Sequence, residues 1–157
     1  MLLSNHLNNI SNPLYSDEYF MKEAIKEAKV ALEKDEVPVG AIIVISNKII
    51  ARSHNLVETL NDATAHAEMQ SLTSAQNYIN GKYLQECTLY VTLEPCIMCA
   101  GALFWTQLGR LVYGASDPKR GFKSSQLKIL HPSTKIKEEV LDSECSAMLK
   151  SFFKTKR

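Results

Sequence analysis

The first half of the chain changes from a helical to a strand-like pattern of apolar residues. Apolar side chains recur every three or four positions over residues 17–34, which predicts an amphipathic helix with Ser16 as its N-cap. Residues 39–45 form a nearly unbroken apolar run, typical of a strand buried on both faces. A polar turn at residues 46–48 leads into a second strand over residues 49–54. The pattern therefore predicts a helix followed directly by a hairpin.

The second half alternates predicted helices and strands. We predict helices over residues 65–78, 96–108 and 141–153, and strands over residues 88–93, 111–115 and, more weakly, 135–140. Asp62 or Thr64 is the expected cap of the first of these helices, and Asn80-Gly81 ends it. Residues 55–64 read as a loop, and a short helical turn is expected near residues 126–130. This order predicts an α/β fold, with a largely parallel sheet between two layers of helices and one antiparallel hairpin.

Length and composition are those of one ordinary globular domain. The chain has 157 residues, of which 45% are hydrophobic and 22% charged. We expect residues 1–15 to be a loose N-terminal extension and residues 16–157 to be a single domain. No apolar run approaches the length of a membrane span, and residues 1–15 lack the features of a signal peptide. A cytoplasmic protein is expected, with Cys87 and Cys145 as reduced, buried side chains.

Two short motifs combine the ligands of a catalytic metal site. His66-Ala67-Glu68 opens one predicted helix, and Pro95-Cys96-Ile97-Met98-Cys99 opens another. Two thiolates three residues apart share one face of a helical turn, and a distant imidazole completes a three-ligand Zn²⁺ site with a fourth position for water. A lone Cys-x-x-Cys could equally be redox-active or structural, and a lone histidine is usually neither ligand nor catalyst. Their joint occurrence at two helix N-termini, where partial positive charge favours thiolates, indicates one bound zinc ion per chain.

Glu68 turns the metal site into a possible mechanism. A carboxylate two residues from a ligand can take a proton from metal-bound water and pass it to a substrate. The pattern His-x-Glu followed by Pro-Cys-x-x-Cys is that of zinc deaminases acting on nucleobases. Positions i and i+2 do not face each other on an ideal helix. We therefore expect irregular geometry at the helix end that carries His66 and Glu68.

Charge is distributed unevenly along the chain. Residues 1–118 contain 8 Lys/Arg and 13 Asp/Glu, a net charge of −5, whereas residues 119–157 contain 10 Lys/Arg and 4 Asp/Glu, a net charge of +6. A basic terminal segment can bind phosphate groups. It can equally be the solvated face of a surface helix.

Several sequence blocks resemble one enzyme family. Residues 64–69 (TAHAEM) and 90–102 (YVTLEPCIMCAGA) are similar to the bacterial tRNA-specific adenosine deaminases. So are residues 36–41 (EVPVGA), residues 114–119 (GASDPK) and the Phe152-Phe153 pair. The zinc motifs alone mark only the wider cytidine/deoxycytidylate deaminase superfamily. The flanking blocks, which extend the resemblance over about residues 16–157, point to the tRNA branch.

The resemblance implies a three-layer α/β/α cytidine-deaminase-like fold with a mixed, mostly parallel five-stranded sheet. It also implies a homodimer that converts adenosine to inosine at the wobble position of a tRNA anticodon. The resemblance further implies that the zinc ligands are His66, Cys96 and Cys99, and that Glu68 shuttles protons. The residues expected to contact the RNA are Asn55, Asp117, Lys119, Phe152 and Phe153.

Three features keep alternatives open. Ala63 stands where the family usually has proline, and the stretch Phe104-Trp105-Thr106-Gln107 also resembles guanine deaminases. A deaminase of free nucleobases or nucleosides, such as guanine or cytosine, is therefore the alternative enzyme. Phe152 continues the apolar spacing of its helix, so core packing is expected for at least one of the two phenylalanines. A non-catalytic, zinc-stabilised RNA-binding module is a third reading, but it leaves Glu68 without a role.

Overall fold

The computed structural model describes residues 13–157, which form one five-stranded sheet covered on both faces by helices. Short 3₁₀ helices lie at Pro13–Tyr15 and Phe122–Ser125. The helices and strands, in chain order, are α1 Asp17–Glu33, β1 Gly40–Ile45, β2 Lys48–His54, α2 Val57–Leu60, α3 Ala67–Ile79, β3 Cys87–Leu93, α4 Ile97–Trp105, β4 Arg110–Ala115, β5 Lys135–Lys137 and α5 Asp142–Thr155.

The sheet has the strand order β2-β1-β3-β4-β5. β1 is antiparallel to both of its neighbours, β2 and β3, whereas β3, β4 and β5 pair in parallel. Four of the five strands therefore point the same way, which confirms the mixed, mostly parallel sheet. The hairpin was expected to be the one antiparallel element, but β1 adds a second antiparallel pairing with β3. The carboxyl ends of β2, β3 and β4 consequently lie at the same edge as the start of β1.

Two separate apolar cores lie on the two faces of the sheet. Side chains alternate along β1, where Ile43 faces the core under α3 and α4 and Ile42 faces the core under α1 and α5. Both isoleucines are fully buried. This arrangement confirms the three-layer α/β/α architecture, and it explains the nearly all-apolar run of β1 because a central strand covered on both faces needs apolar side chains at every position.

Helix α1 has a defined beginning and end. As predicted, Ser16 is the N-cap, and its hydroxyl accepts a hydrogen bond of 3.1 Å from the Tyr19 amide. At the other end Asp35 adopts a left-handed conformation with φ 58°. The Glu36 amide then donates to the Ala31 carbonyl at 2.9 Å, which is the closing bond of a Schellman motif. The motif fixes where Glu36 begins the connection to β1.

The N-terminal region is described only from Pro13 onward. Residues 1–12 of the expected extension lie outside the described part of the chain. The ring of Tyr15 stacks on Phe20 with a centroid distance of 6.2 Å, so the last residue of the expected extension contacts the domain. Within residues 13–157 no helix is both long and apolar enough to cross a membrane. Cys87 and Cys145 are free and buried, as expected.

Several predicted boundaries differ from the structure. The predicted loop 55–64 contains the short helix α2, and α3 begins at Ala67 with His66, rather than Asp62 or Thr64, as its N-cap. α4 ends at Trp105 instead of residue 108, because Gln107 is left-handed with φ 52°. The helical turn expected near residues 126–130 lies earlier, at Phe122–Ser125.

Candidate metal centre and substrate pocket

The two sequence motifs meet at one edge of the sheet. Cys96 follows the carboxyl end of β3 and caps α4, and His66 caps α3 on the same face of the sheet. In open α/β sheets this edge is where ligands bind. The fold therefore brings together residues that are thirty positions apart in sequence.

Three ligand atoms converge at this edge. The Nδ1 atom of His66 lies 3.7 Å from Cys96 Sγ and 3.5 Å from Cys99 Sγ, and all three atoms lie within 4.8 Å of one another. Cys99 is buried, whereas His66 and Cys96 are partly exposed. Within the described residues this is the one His/Cys/Asp/Glu group with such a geometry. One side of the cluster remains open to the pocket, so the three residues could hold a metal ion with a free coordination position.

The helix ends explain how His66 and Glu68 reach the same site. His66 has an extended backbone (φ −70°, ψ 153°) as the N-cap of α3, so the helical rule for positions i and i+2 does not apply to it. Cys96 has the same role in α4 (φ −71°, ψ 173°), and Cys99 lies one turn further on. Ser53 of β2 fixes the first turn of α3 by donating to the Ala67 carbonyl at 2.7 Å.

Glu68 is a buried carboxyl group beside the three ligand atoms. Its residue is 4% exposed, and it lines the pocket together with His66 and Cys96. Burial raises the pKa of Glu68 to about 7, because removing the carboxylate from water disfavours its charged form. A carboxyl group with a pKa near neutrality can both accept and release a proton, as a proton shuttle must.

The thiols differ in their protonation. Hydrogen bonds from Cys99 and His66 lower the pKa of Cys96 to about 4, so Cys96 is a thiolate at neutral pH. The pKa of Cys99 is raised, first by its hydrogen bond to Cys96 and then by burial. The hydrogen bond to Cys96 also raises the pKa of His66. The three side chains thus already form a cluster with one thiolate, the form in which cysteine binds metals.

The cluster lies at the base of a pocket of about 1230 Å³. Small-molecule sites usually measure about 300–1,000 Å³, so this pocket has room for more than one nucleobase. One wall comes from the connections before β1 and after β2, and the opposite wall from the connections after β3 and β4 and from α5. The basic residues among its lining side chains are Lys119, Arg120, Lys150, Lys154, Lys156 and Arg157.

Asn55 belongs to the first wall and is 7% exposed. Its Oδ1 accepts from the Val57 amide at 3.3 Å, and its Nδ2 lies 3.5 Å from the Val37 carbonyl. Next to it, the fully buried Glu36 carboxylate accepts three hydrogen bonds from α2. Burial alone would raise the pKa of Glu36, but these hydrogen bonds outweigh it and the pKa lies below its usual value. Glu36 could not be predicted as a site residue, because nothing in its residue type distinguishes a buried glutamate from an exposed one.

The opposite wall contains Asp117 and Lys119, two residues that were predicted to contact the RNA. The Asp117 carboxylate accepts from the amides of Lys119 and Arg120 at 3.1 and 3.0 Å, so Asp117 shapes the turn that carries Lys119. Beneath this turn lies Glu94, whose carboxyl group is also buried and which was not among the predicted site residues. A Cβ atom at Gly121 would overlap the Glu94 carboxyl group, which is a specific reason for glycine at this position.

The two phenylalanines near the C-terminus separate. Phe153 is 49% exposed and lines the pocket, whereas Phe152 is 7% exposed and is not among the lining residues. The expectation that at least one of them packs in the core is confirmed for Phe152. The structure does not bring Phe152 to the pocket, because consecutive residues of α5 point in different directions.

Comparison with known proteins agrees with this geometry. Residues 15–157 match the MafB19-like deaminase family. The chain is 47% identical over 146 residues to the tRNA-specific adenosine deaminase of Bacillus subtilis, covering 90% of this chain and 91% of that protein. A solved structure from studies of A-to-I editing by tRNA:A34 deaminases shares 40% identity with a TM-score of 0.78, covering 83% of this chain and 99% of the other. Guanine deaminase from Bacillus subtilis shares 32% identity with a TM-score of 0.63, over 73% and 71% of the two chains. The chain belongs to the family of tRNA-specific adenosine deaminases.

Proposed function

We propose that this protein hydrolyses adenosine to inosine and ammonia at the wobble position of a tRNA anticodon, with one zinc ion per chain. The observation that carries the proposal is the buried carboxyl group of Glu68 beside three convergent metal-ligand atoms, at the base of a pocket with a basic rim. The activity named for the Bacillus subtilis relative supports adenosine in tRNA as the substrate. The same proposal implies that the protein acts on tRNA in the cytoplasm.

The ligand distances fit zinc. A tetrahedral zinc ion with bonds of about 2.0–2.3 Å would hold an imidazole nitrogen and a thiolate sulfur about 3.6 Å apart. The observed separations of 3.7 and 3.5 Å lie on either side of that value. We therefore assign His66, Cys96 and Cys99 as ligands. A zinc ion held by them would act as a Lewis acid that makes hydroxide available at neutral pH.

Glu68 would move the protons. The overall reaction adds water to C6 of the adenine ring and releases the exocyclic amino group as ammonia. Glu68 takes one proton from the attacking water and delivers it to a ring nitrogen. It then takes the second proton from the added oxygen and passes it to the amino group, which leaves as ammonia while the C6–N bond breaks and the C6=O bond forms. Burial keeps its carboxyl group out of bulk solvent, so that the transferred proton reaches the base rather than water.

The walls would bind the nucleotide and its neighbours. We assign Asn55 to the flipped base, because its side chain is held by the Val57 amide and lines the pocket. Lys119 and the lysines of α5 would contact phosphates, and the exposed ring of Phe153 would stack on a base. Asp117 would act on Lys119 indirectly, through the turn that it caps.

We also propose that two copies of the chain associate. Support comes from large apolar side chains that are exposed on and near α4. Trp105 is 76% exposed, Ile97 52% and Leu127 73%. A contiguous patch of exposed apolar side chains marks an interaction surface, and these side chains would contribute to such a patch. Analytical ultracentrifugation of the wild-type chain and of Trp105→Glu tests this point, with a dimer expected for the first and a monomer for the second.

The basic rim distinguishes a polynucleotide substrate from a free base. Changing Lys119, Lys150 and Lys154 to glutamine removes three exposed charges from the rim. If these lysines contact phosphates of a single-stranded loop, a plot of the log of the RNA-binding constant against the log of salt concentration should become less steep by about 2, since each contact contributes about 0.7. The matched control changes Lys22, Lys29 and Lys128, which are exposed and lie away from the pocket.

The outcome distinguishes a tRNA adenosine deaminase from a deaminase of free bases. For a tRNA deaminase, the rim variant should raise the KM for an anticodon stem-loop and the control variant should not. The similarity to guanine deaminase makes a free base the alternative substrate. Equal kinetics for wild type, rim variant and control at every salt concentration would contradict the tRNA proposal.

A further inference from the structure

Glu36 is a buried carboxylate outside the metal centre. Its relative exposure is 0%, lower than that of the other buried acidic residues in the described chain, Glu23, Glu68 and Glu94. A buried carboxylate without partners is strongly destabilising, so its contacts indicate what it does. The Schellman motif at the end of α1 fixes the backbone at Glu36 and directs its side chain toward α2.

All three contacts of the Glu36 carboxylate go to residues 58 and 59 of α2. One oxygen accepts from the Thr59 amide at 2.6 Å and from the Thr59 hydroxyl at 2.8 Å, and the other accepts from the Glu58 amide at 3.2 Å. α2 spans four residues, and its N-cap, Leu56, offers no side-chain hydrogen bond. The first amides of a helix need external acceptors. Glu36 supplies them from another part of the chain.

α2 belongs to the wall of the pocket that carries Asn55. The side-chain Oδ1 of Asn55 accepts from the Val57 amide, and the Leu56 amide donates to the backbone carbonyl of Ala65 at 3.0 Å. Ala65 directly precedes the metal-ligand candidate His66. Residues 55–65 are thus tied at both ends, at Asn55 and at Ala65, and Glu36 holds the middle. Loss of the Glu36 contacts would release the middle, including the Val57 amide that holds the Asn55 side chain, while backbone hydrogen bonds still hold the chain at Asn55 and Ala65.

We propose that Glu36 is a positioning residue for substrate binding, which fixes α2 and through it the Asn55 side chain against the target nucleotide. This inference rests on the proposed function, since Asn55 is assigned there to the flipped base. Glu36 has no contact with the metal centre, whose residues are held by α3 and α4. Its role should therefore be seen in binding of the RNA and not in the chemical step.

Glu36→Gln is the direct test. Glutamine keeps the size of the side chain but replaces one acceptor oxygen with an amino group that faces an N–H donor. We expect the KM for an anticodon stem-loop to rise at least about tenfold, as the loss of charged hydrogen bonds allows, while kcat stays within about threefold. Zinc content should be unchanged. Glu23→Gln is the control, since Glu23 is buried in α1 and bonded to Arg52 and Lys26 but does not line the pocket.

A second pair of variants covers the case in which Glu36→Gln does not fold. Thr59→Val removes only the 2.8 Å hydroxyl bond at an exposed position, and Thr59→Ser keeps it. The KM should rise about threefold in the first and return to within about twofold of wild type in the second.

The controls also separate this inference from the proposed function. Failure of the wild-type enzyme to deaminate the stem-loop would reject the proposed function. An active wild type whose KM is unchanged in both Glu36→Gln and Thr59→Val would overturn the role of Glu36 alone. So would a lower kcat with unchanged KM, or an equal rise in KM for Glu23→Gln.

Discussion

Asp17 joins the start of α1 to three strands, and its replacement by asparagine should destabilise the protein measurably. The Asp17 carboxylate accepts from Arg110 at 2.7 and 2.8 Å, from the Tyr90 hydroxyl at 2.8 Å and from Lys137 at 3.0 Å. These partners belong to β4, β3 and β5 respectively. Asparagine keeps the shape of the side chain but removes the charge, so the bidentate pair with Arg110 is lost.

The expected loss at pH 7 is about 2 kcal/mol. A hydrogen bond to a charged group contributes about 1.5–3 kcal/mol, but Arg110 is 33% exposed and Lys137 is 48% exposed, so both regain water. The expected loss is therefore far below the sum of four such bonds, about 6–12 kcal/mol. Of the expected 2 kcal/mol, about 0.3–1 kcal/mol comes from losing a negative charge at the first position of α1, where it interacts favourably with the helix dipole.

The difference in free energy of unfolding between wild type and Asp17→Asn should become smaller at acidic pH. The hydrogen bond from Arg110 holds the pKa of Asp17 well below its usual range in the folded state. A carboxyl group with a depressed pKa stabilises the fold above its unfolded pKa of about 3.9, and this stabilisation is lost as pH falls toward the folded pKa. Between pH 5 and pH 3 the contribution of Asp17 should fall by about 1 kcal/mol.

Urea unfolding of wild type and Asp17→Asn at pH 7, 5 and 3 measures both quantities. Loss of a metal ion in acid affects both proteins alike and cancels in the difference. Asp142→Asn is the control, because Asp142 also begins a helix but bonds only to the Ser146 hydroxyl among the contacts described. A difference between wild type and Asp17→Asn that is below 0.5 kcal/mol, about a quarter of that expected, or that is the same at all three pH values, would refute this reasoning.

Three further predictions concern packing and the metal centre. Gly40→Ala should cost at least about 3 kcal/mol in urea unfolding, because its Cβ would overlap the backbone at Ala24 and Ala28, whereas Gly81→Ala, with 3.7 Å to the nearest atom, should be neutral. Glu68→Gln should retain its metal but lose about 10²–10⁴-fold in turnover, measured as ammonia release. Cys99→Ala should lose most of its zinc by elemental analysis, and full retention would refute the ligand assignment.

The sequence predicted the layers and most elements because those depend on local patterns. The apolar run of β1 and the spacing of apolar residues in α1 and α5 indicate which faces of these elements are buried. The motif at residues 96–99 and the pair at residues 66–68 predicted the cluster that the structure brings together. Helix lengths were less accurate, since the end of α4 depends on the left-handed Gln107 and that conformation has no strong sequence signal.

What the sequence could not predict depends on contacts between distant segments. α2 has no apolar periodicity, and its amides at Glu58 and Thr59 are satisfied by Glu36, which lies 22 and 23 residues earlier. Asp117 and Phe152 were placed by resemblance alone. The structure shows that Asp117 caps its own turn and that Phe152 is buried. Neither role could be predicted from the sequence, because each depends on where a neighbouring element lies.

The most direct test of the central claim is the product formed from an anticodon stem-loop with adenosine at the wobble position. Incubation with the zinc-loaded wild-type protein should release one ammonia per RNA and convert that adenosine to inosine. The same RNA with guanosine at that position, and the Glu68→Gln protein, should give neither product. Free guanine, cytosine and adenosine serve as competing substrates. Rapid ammonia release from a free base, with no inosine in the RNA, would contradict the account.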